Sequence, residues 1–264
     1  MRSKQTIPTL EDVAKAAGVS TATVSRCLNT PKLVVETTRA RVMEAVEQLG
    51  YIPNFGARAM AAKRTYTIGA IVPTIENSIF AKGLQAFQEE LFSLGYTLLM
   101  ASSAYRAEAE EEQIRSFITR GADGLLLIGY ERDPAIYTYL QRQEVPVLVT
   151  WTYAKTKAVP SVGFDNFQAM RGLAEAVIAL GHRKIGIIAG VTRHNDRATE
   201  RLQGIKAAAQ DADATVEIVF DIEARYDVEA GGDAFEQLIK NAPETSVVMC
   251  GNDVLGVGAL IRAR

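Results

Sequence analysis

The stretch Asp12 to Asn29, DVAKAAGVSTATVSRCLN, holds the most suggestive chemistry in the chain. Ser20-Thr21-Ala22-Thr23, then Ser25 and Arg26, place hydroxyls and one guanidinium at the start of a short helix. Such groups hydrogen-bond to phosphate oxygens and base edges. The backbone N–H groups of a helix N-terminus suit phosphates as well. Elsewhere the chemistry-bearing residues do not assemble into a catalytic pattern. There is no Gly-rich phosphate loop, no metal-ligand spacing and no nucleophile elbow. His182 falls in a Leu-Gly-His-Arg turn and His194 in a polar loop, and both read as structural or solvated. Cys27 and Cys250 are far apart, each in an apolar run. They make neither a disulfide framework nor a metal site and read as buried thiols in a reducing compartment. No catalytic residue, cofactor or metal is therefore assigned.

The elements that must carry the hydroxyl-rich helix are themselves helices. Leu10, Val13, Ala14 and Ala17 form one helical stripe. Thr9 and Asp12 make a capping box, and Gly18 stops the helix. Ser20 caps the next helix, whose inner face is Val24, Cys27 and Leu28, and Pro31 ends it. The apolar residues keep to that inner face, so Thr21, Ala22 and Arg26 project outward. A third stripe, Val42, Ala45, Val46 and Leu49, closes at Gly50. Val35 precedes it without a capping hydroxyl, and Thr37 or Thr38 can cap a later start. Residues 53–64, PNFGARAMAAKR, favour helix but are too short to be stable alone in water. This segment reads as a conditional helix.

From residue 67 the period changes. Strands are predicted at Thr67–Pro73, Thr97–Ser102, Gly124–Ile128, Val145–Thr150, Ser161–Phe164, Lys184–Ala189, Glu217–Phe220 and Ser246–Cys250. Helices are predicted near 79–94, 107–120, 134–143, 167–180, 196–210, 228–241 and 253–263. Strand–helix alternation with continuously apolar strands indicates parallel sheets covered on both faces, as one large sheet or two smaller ones.

The composition allows all of this. The chain is 264 residues long, 48% hydrophobic and 23% charged, enough for a sizeable core. Its net charge of −2 hides an asymmetry: residues 1–64 hold ten Lys/Arg against five Asp/Glu, and the remainder nineteen against twenty-six. A basic head on an acidic body points to a polyanion partner for the head alone. The N-terminus has no apolar segment of a secretory signal, and no apolar run is long enough to span a membrane. A soluble, cytoplasmic protein is expected.

The chain as a whole resembles the bacterial transcription repressors of the lactose repressor (LacI/GalR) family. The resemblance rests on LEDVAKAAGVSTATVSRCLN at 10–29, LGYIPN at 49–54 and ARAMAAKRTYTIGAIVP at 57–73. It continues with VGFDN at 162–166, ALGHRKIGIIAG at 179–190, ERLQGI at 200–205 and CGNDVLGVGAL at 250–260. It implies an α/β fold with a small all-α helix-turn-helix head (1–52), a hinge helix (53–64) and an effector-binding core (65–264). The core would consist of two Rossmann-like subdomains of periplasmic-binding-protein type. Family members run on for a further helix and strand, so the second subdomain is expected to be incomplete, which puts dimerisation and effector response in question.

The resemblance also assigns roles. The second helix would lie in the major groove, with Thr21 and Ala22 choosing bases and Arg26 reaching a guanine. Ser20, Thr23, Ser25 and Asn29 would contact phosphates, although local capping also explains Ser20. Thr9 and Asn54 join the DNA-binding set. In the hinge, Met60 would wedge into the minor groove where relatives use leucine, and Ala57 would let two hinges approach. In the core, Phe80, Trp151, Asp165, Arg201, Asn252 and Asp253 match effector-pocket positions. An aromatic floor with Asp, Asn and Arg suits a sugar or sugar acid. Trp151 as core and Asp165 and Asp253 as helix caps are the plainer readings.

The function that follows is a repressor that binds a pseudopalindromic DNA operator as a homodimer under a small effector's control. A DNA-binding regulator without effector response and a sugar-binding protein are the alternatives.

Overall fold

The computed structural model describes residues 7–212 and 214–264, without the side chains of Phe55, Ala57, Arg58 and Ala61. The chain divides into two compact units, Met1–Thr65 and Tyr66–Arg264.

The first unit is helical, with α1 (Leu10–Ala17), α2 (Thr21–Asn29), α3 (Glu36–Leu49) and α4 (Phe55–Ala62), and a 3-10 turn at Pro31–Leu33. The local signals explain the boundaries. Thr9 and Asp12 cap α1 reciprocally, and Gly18 ends it at φ +64°. The Ser20 hydroxyl accepts from the Thr23 amide at 3.2 Å and starts α2. Gly50, at φ +62°, ends α3. Left-handed backbone costs glycine little, which is why both helices stop there. Val13, Ala14, Ala17, Val24, Cys27, Val42 and Ala45 form one buried cluster, closed by Tyr51, which pattern reading did not single out. Leu49 departs from its expected stripe: it is 37% exposed, because α3 turns its last residue away from the small bundle. α3 begins at Glu36 and not at a later threonine, so Val35 occupies the N-cap without a side-chain hydrogen bond.

The second unit alternates strand and helix. β1 (Thr67–Val72), β2 (Thr97–Ser102), β3 (Gly124–Ile128), β4 (Val147–Thr150) and β5 (Ser161–Val162) form a parallel sheet of order β2-β1-β3-β4-β5. β6 (Lys184–Gly190), β7 (Glu217–Ala224) and β8 (Val247–Cys250) form a parallel sheet of order β7-β6-β8. The covering helices are α5 (Ser78–Ser93), α6 (Ala107–Thr119), α7 (Pro134–Arg142), α8 (Asn166–Ala179), α9 (Asp196–Asp211), α10 (Val228–Asn241) and α11 (Asp253–Arg262). β3 is buried at every residue, as a central parallel strand covered on both faces must be.

Three strands differ by two residues or more from their pattern, and β1, β6 and β8 by one. β4 starts two residues later than expected and β5 stops after two residues. β7 runs four residues further because Asp221–Ala224 pair in parallel with Ile187–Gly190 despite their polarity. Cys250 is partly exposed, not buried as expected.

The uncapped start of α3 yields a prediction. Val35 has extended backbone at the N-cap and is 71% exposed, so a serine fits without clash. Val35→Ser should stabilise the helical head by about 1 kcal/mol. Calorimetry of the whole chain should show the head's transition shifted upward and the core's unmoved. An unmoved head transition would refute the account.

Candidate functional site

The sequence-selected residues fall on two sites, one in each unit. On the head, Val24 and Cys27 bury the inner face of α2. Thr21, Ala22 and Arg26 lie exposed on the opposite side. The first turn of α2 contains no acidic residue to oppose an anion. The Ser20 and Thr23 hydroxyls are 3.0 Å apart and bond each other. Asn29 donates to the Ser25 hydroxyl at 3.3 Å.

A groove of about 560 Å³ brings Thr9, Ser25, Asn29 and Asn54 together beside Tyr51 and Pro53. Thr9 is already engaged, its hydroxyl and amide both donating to the Asp12 carboxylate at 2.7 and 2.8 Å. Those bonds hold the Asp12 carboxyl below its ordinary range, the backbone amide contributing most. In α4, Met60 is 83% exposed. The Ala57 side chain lies outside the described residues.

In the core, a cavity of about 250 Å³ opens where the strands of both sheets end. Asn77, Phe80, Tyr105 and Trp151 line it from the first half, β1–β5 with its helices. Asn195, Arg197, Arg201, Tyr226, Asn252 and Asp253 line it from the second half, β6–β8. Each follows the carboxyl end of a strand, the expected crevice of open parallel sheets.

Phe80 and Trp151 meet edge to face at 5.2 Å, and Phe80 also belongs to the buried core. Trp151 packs on the core and also lines the cavity. Asn252 caps α11 through the Leu255 amide at 2.9 Å while lining the cavity. Asp165 is not among the lining residues; its carboxylate caps α8 through the Gln168 amide at 2.9 Å. The neighbouring Asn166 lines the cavity in its place.

Asn166 is fully buried and organises this wall. Its amide group donates to the Trp151 carbonyl at 3.1 Å, and its Oδ1 accepts from Arg201 Nη1 at 2.6 Å. Arg201 Nε is buried with no hydrogen-bond partner among the described residues. A buried guanidinium N–H without an acceptor is costly, and a ligand oxygen in the cavity would satisfy it. Arg197 lies one helical turn earlier, 6% exposed, with its guanidinium on Asp196 at 2.7 Å.

Burial, reinforced by Tyr226, pushes the Tyr105 phenol up to about 12. It raises the Glu200 carboxyl too, with help from Asp196 and Asp165. Burial alone pushes the Cys250 thiol up to about 11. Asn77, Tyr105, Asn166, Asn195, Arg197 and Tyr226 were not singled out in the sequence. The available signal was position, since each stands within a few residues of a strand end.

Among the described residues no cluster of His, Cys, Asp and Glu could hold a metal ion, and no helix is long and apolar enough to cross a membrane.

Known proteins place both sites in context. Residues 9–54 match the family model described as bacterial regulatory proteins, lacI family. Residues 65–264 match periplasmic binding proteins and sugar binding domain of LacI family. The transcriptional repressor PurR of Proteus mirabilis (strain HI4320) is 31% identical over 97% of this chain and 75% of its own length. The transcriptional regulator GntR of Escherichia coli (strain K12) is 31% identical over 97% of this chain and 76% of its own. A crystal structure of a LacI-family transcriptional regulator from Silicibacter pomeroyi superposes with a TM-score of 0.86 at 27% identity, covering 97% of this chain and 77% of that one.

The raised Tyr105 phenol has a signed consequence. In the unfolded chain the phenol ionises near its ordinary value of 10, in the folded chain near 12. Its contribution to stability is complete below pH 10 and is lost as pH rises through 12. An alkaline titration followed at 295 nm should show a late step that Tyr105→Phe diminishes, the remainder belonging to Tyr137, whose phenol burial also raises. A late step of undiminished size in the variant would reassign it.

Proposed function

The chain belongs to the lacI family of bacterial regulatory proteins, and from that premise we propose that it is a sequence-specific DNA-binding transcriptional repressor controlled by a small effector. One observation carries the reading. α2 buries one face in the head and leaves Thr21, Ala22 and Arg26 free on the other, within a segment of net positive charge.

Residues 1–52 are the DNA-binding head, 53–64 the hinge and 65–264 the effector core. α2 enters the major groove of operator DNA. Thr21 supplies one hydrogen bond, Ala22 packs on a thymine methyl and Arg26 takes a guanine edge. Ser20, Thr23, Ser25, Asn29, Thr9 and Asn54 position the head on phosphates and sugars. Met60, exposed on α4, is the apolar wedge of the hinge in the minor groove, and Ala57 lets a second hinge approach. The protein acts in the cytoplasm as a homodimer on a pseudopalindrome. Exposed Phe92, Leu94 and Met100, beside the edge strand β2, fit a surface that a second copy covers.

The effector is a sugar or sugar acid held in the core cavity. The Phe80–Trp151 pair faces its apolar side, and Asn252, Asp253 and the unsatisfied Arg201 Nε meet its oxygens.

Selection of random duplexes by the purified chain, followed by sequencing, tests this reading. The expected outcome is an enriched palindrome of two half-sites. Arg26→Ala should weaken binding by roughly 1–3 kcal/mol and relax one position in each half-site. No enrichment, or an Arg26→Ala profile identical to the native one, would overturn it.

A further inference from the structure

We propose that the start of α9 is a latch: the Asp196 carboxylate, seated on the backbone amide of Tyr130, ties the two halves of the core together across the cavity. Tyr130 follows β3 in the first half, and Asp196 opens α9 in the second. The Tyr130 N–H donates to Asp196 Oδ2. The other carboxylate oxygen accepts from the Arg197 amide at 3.0 Å and from Arg197 Nη1 at 2.7 Å. Both side chains are largely buried, 15% and 7% exposed. An acidic residue in a helix's first turn is favoured by the helix dipole wherever it points. Here the carboxylate instead reaches across to the opposite half.

The receiving turn is built for close approach. Gly129 has φ +72°. A Cβ there would lie 1.8 Å from Arg197 Nη1 and 2.3 Å from Asp196 Oδ1. The left-handed backbone favours glycine, and a Cβ here would have to displace the Arg197 and Asp196 side chains. The carbonyls of this turn are tied from behind. Arg132 donates to the Ile128 and Gly129 carbonyls at 3.1 and 2.7 Å, and the Tyr137 hydroxyl donates to the Tyr130 carbonyl at 3.1 Å. Arg132 is itself fixed by Glu110 at 2.9 Å, with its side chain only 4% exposed. The turn is thus held rigid with one amide presented forward to Asp196.

A second contact closes the same edge. Tyr105 of the first half stacks on Tyr226 of the second, ring centroids 5.8 Å apart and planes at 23°. Asn195, next to Asp196, donates to the Tyr226 hydroxyl at 2.9 Å. Asn195, Asp196 and Tyr226 therefore move as one rim. The consequence for the effector rests on the cavity being its site. A ligand that prefers the closed core binds more tightly the more that state is populated, and a broken latch weakens it in proportion.

Amide hydrogen exchange measured by NMR on the whole chain, without DNA or any small molecule, tests the latch independently of the repressor reading. In Asp196→Ala the Tyr130 amide should exchange about tenfold faster or more. The Gly129 amide, bonded to the Thr150 carbonyl within the first half, should keep its native rate. Asp196→Asn keeps the shape and one acceptor oxygen but not the charge; it should fall between native and alanine, and serves if the alanine variant does not fold. Gly129→Ala should loosen the Tyr130 amide by displacing the Asp196 carboxylate from it. An unchanged Tyr130 rate in the Asp196 variants, or Gly129 accelerating equally with Tyr130, would overturn the proposal.

Discussion

A parallel sheet must be covered on both faces, and this constraint dictates the rest of the core. Every return between neighbouring parallel strands has to cross a face, so α5 to α11 supply the cover while the central strands β1, β3 and β6 stay largely apolar. The geometry also sorts the polar residues. Everything that leaves the carboxyl end of a strand emerges on one edge, and both halves turn that edge to the same cavity. Asn77, Asn195 and Asn252 each cap a helix there while also lining the cavity wall. Local folding signals and cavity-facing groups are thus the same side chains.

The head obeys a different economy. Its core is thin, made of short side chains from three helices and Tyr51. Caps fix its helices at Thr9, Ser20, Gly18 and Gly50, so the register of α2 is set locally. The exposed face of α2 is then determined by what its buried face requires. Val24 and Cys27 must point inward, and Thr21, Ala22 and Arg26 are left pointing out.

What the sequence revealed follows from the range of each interaction. Helix caps and strand periods act over a few residues, so the elements of the core appeared in the pattern nearly in their final positions. Errors arose where tertiary pairing overrode local character. β7 kept going through Asp221 and Glu223 because β6 offered it a partner ladder, and Leu49 fell off its stripe because the bundle ended before the helix did. In the cavity, Phe80, Trp151, Arg201, Asn252 and Asp253 could be named in advance, through the resemblance. Asn166 could not, because its role exists only where the Trp151 carbonyl and the Arg201 guanidinium converge. The pairing of Tyr105 with Tyr226 spans more than a hundred residues of chain and leaves no local trace.

The buried cluster of the head is drawn wholly from residues between Val13 and Tyr51, and the core's clusters begin only at Ala70. Among the described residues, the buried clusters of the two units share no side chain. The exposed face of α2 and the core cavity are therefore each set by the packing of their own unit. A substitution on the outward face of α2 alters surface chemistry without touching Val24 or Cys27, and one in a strand-end loop does so without touching the buried strands. Each unit can thus be re-tooled at its surface while its own interior stays as it is.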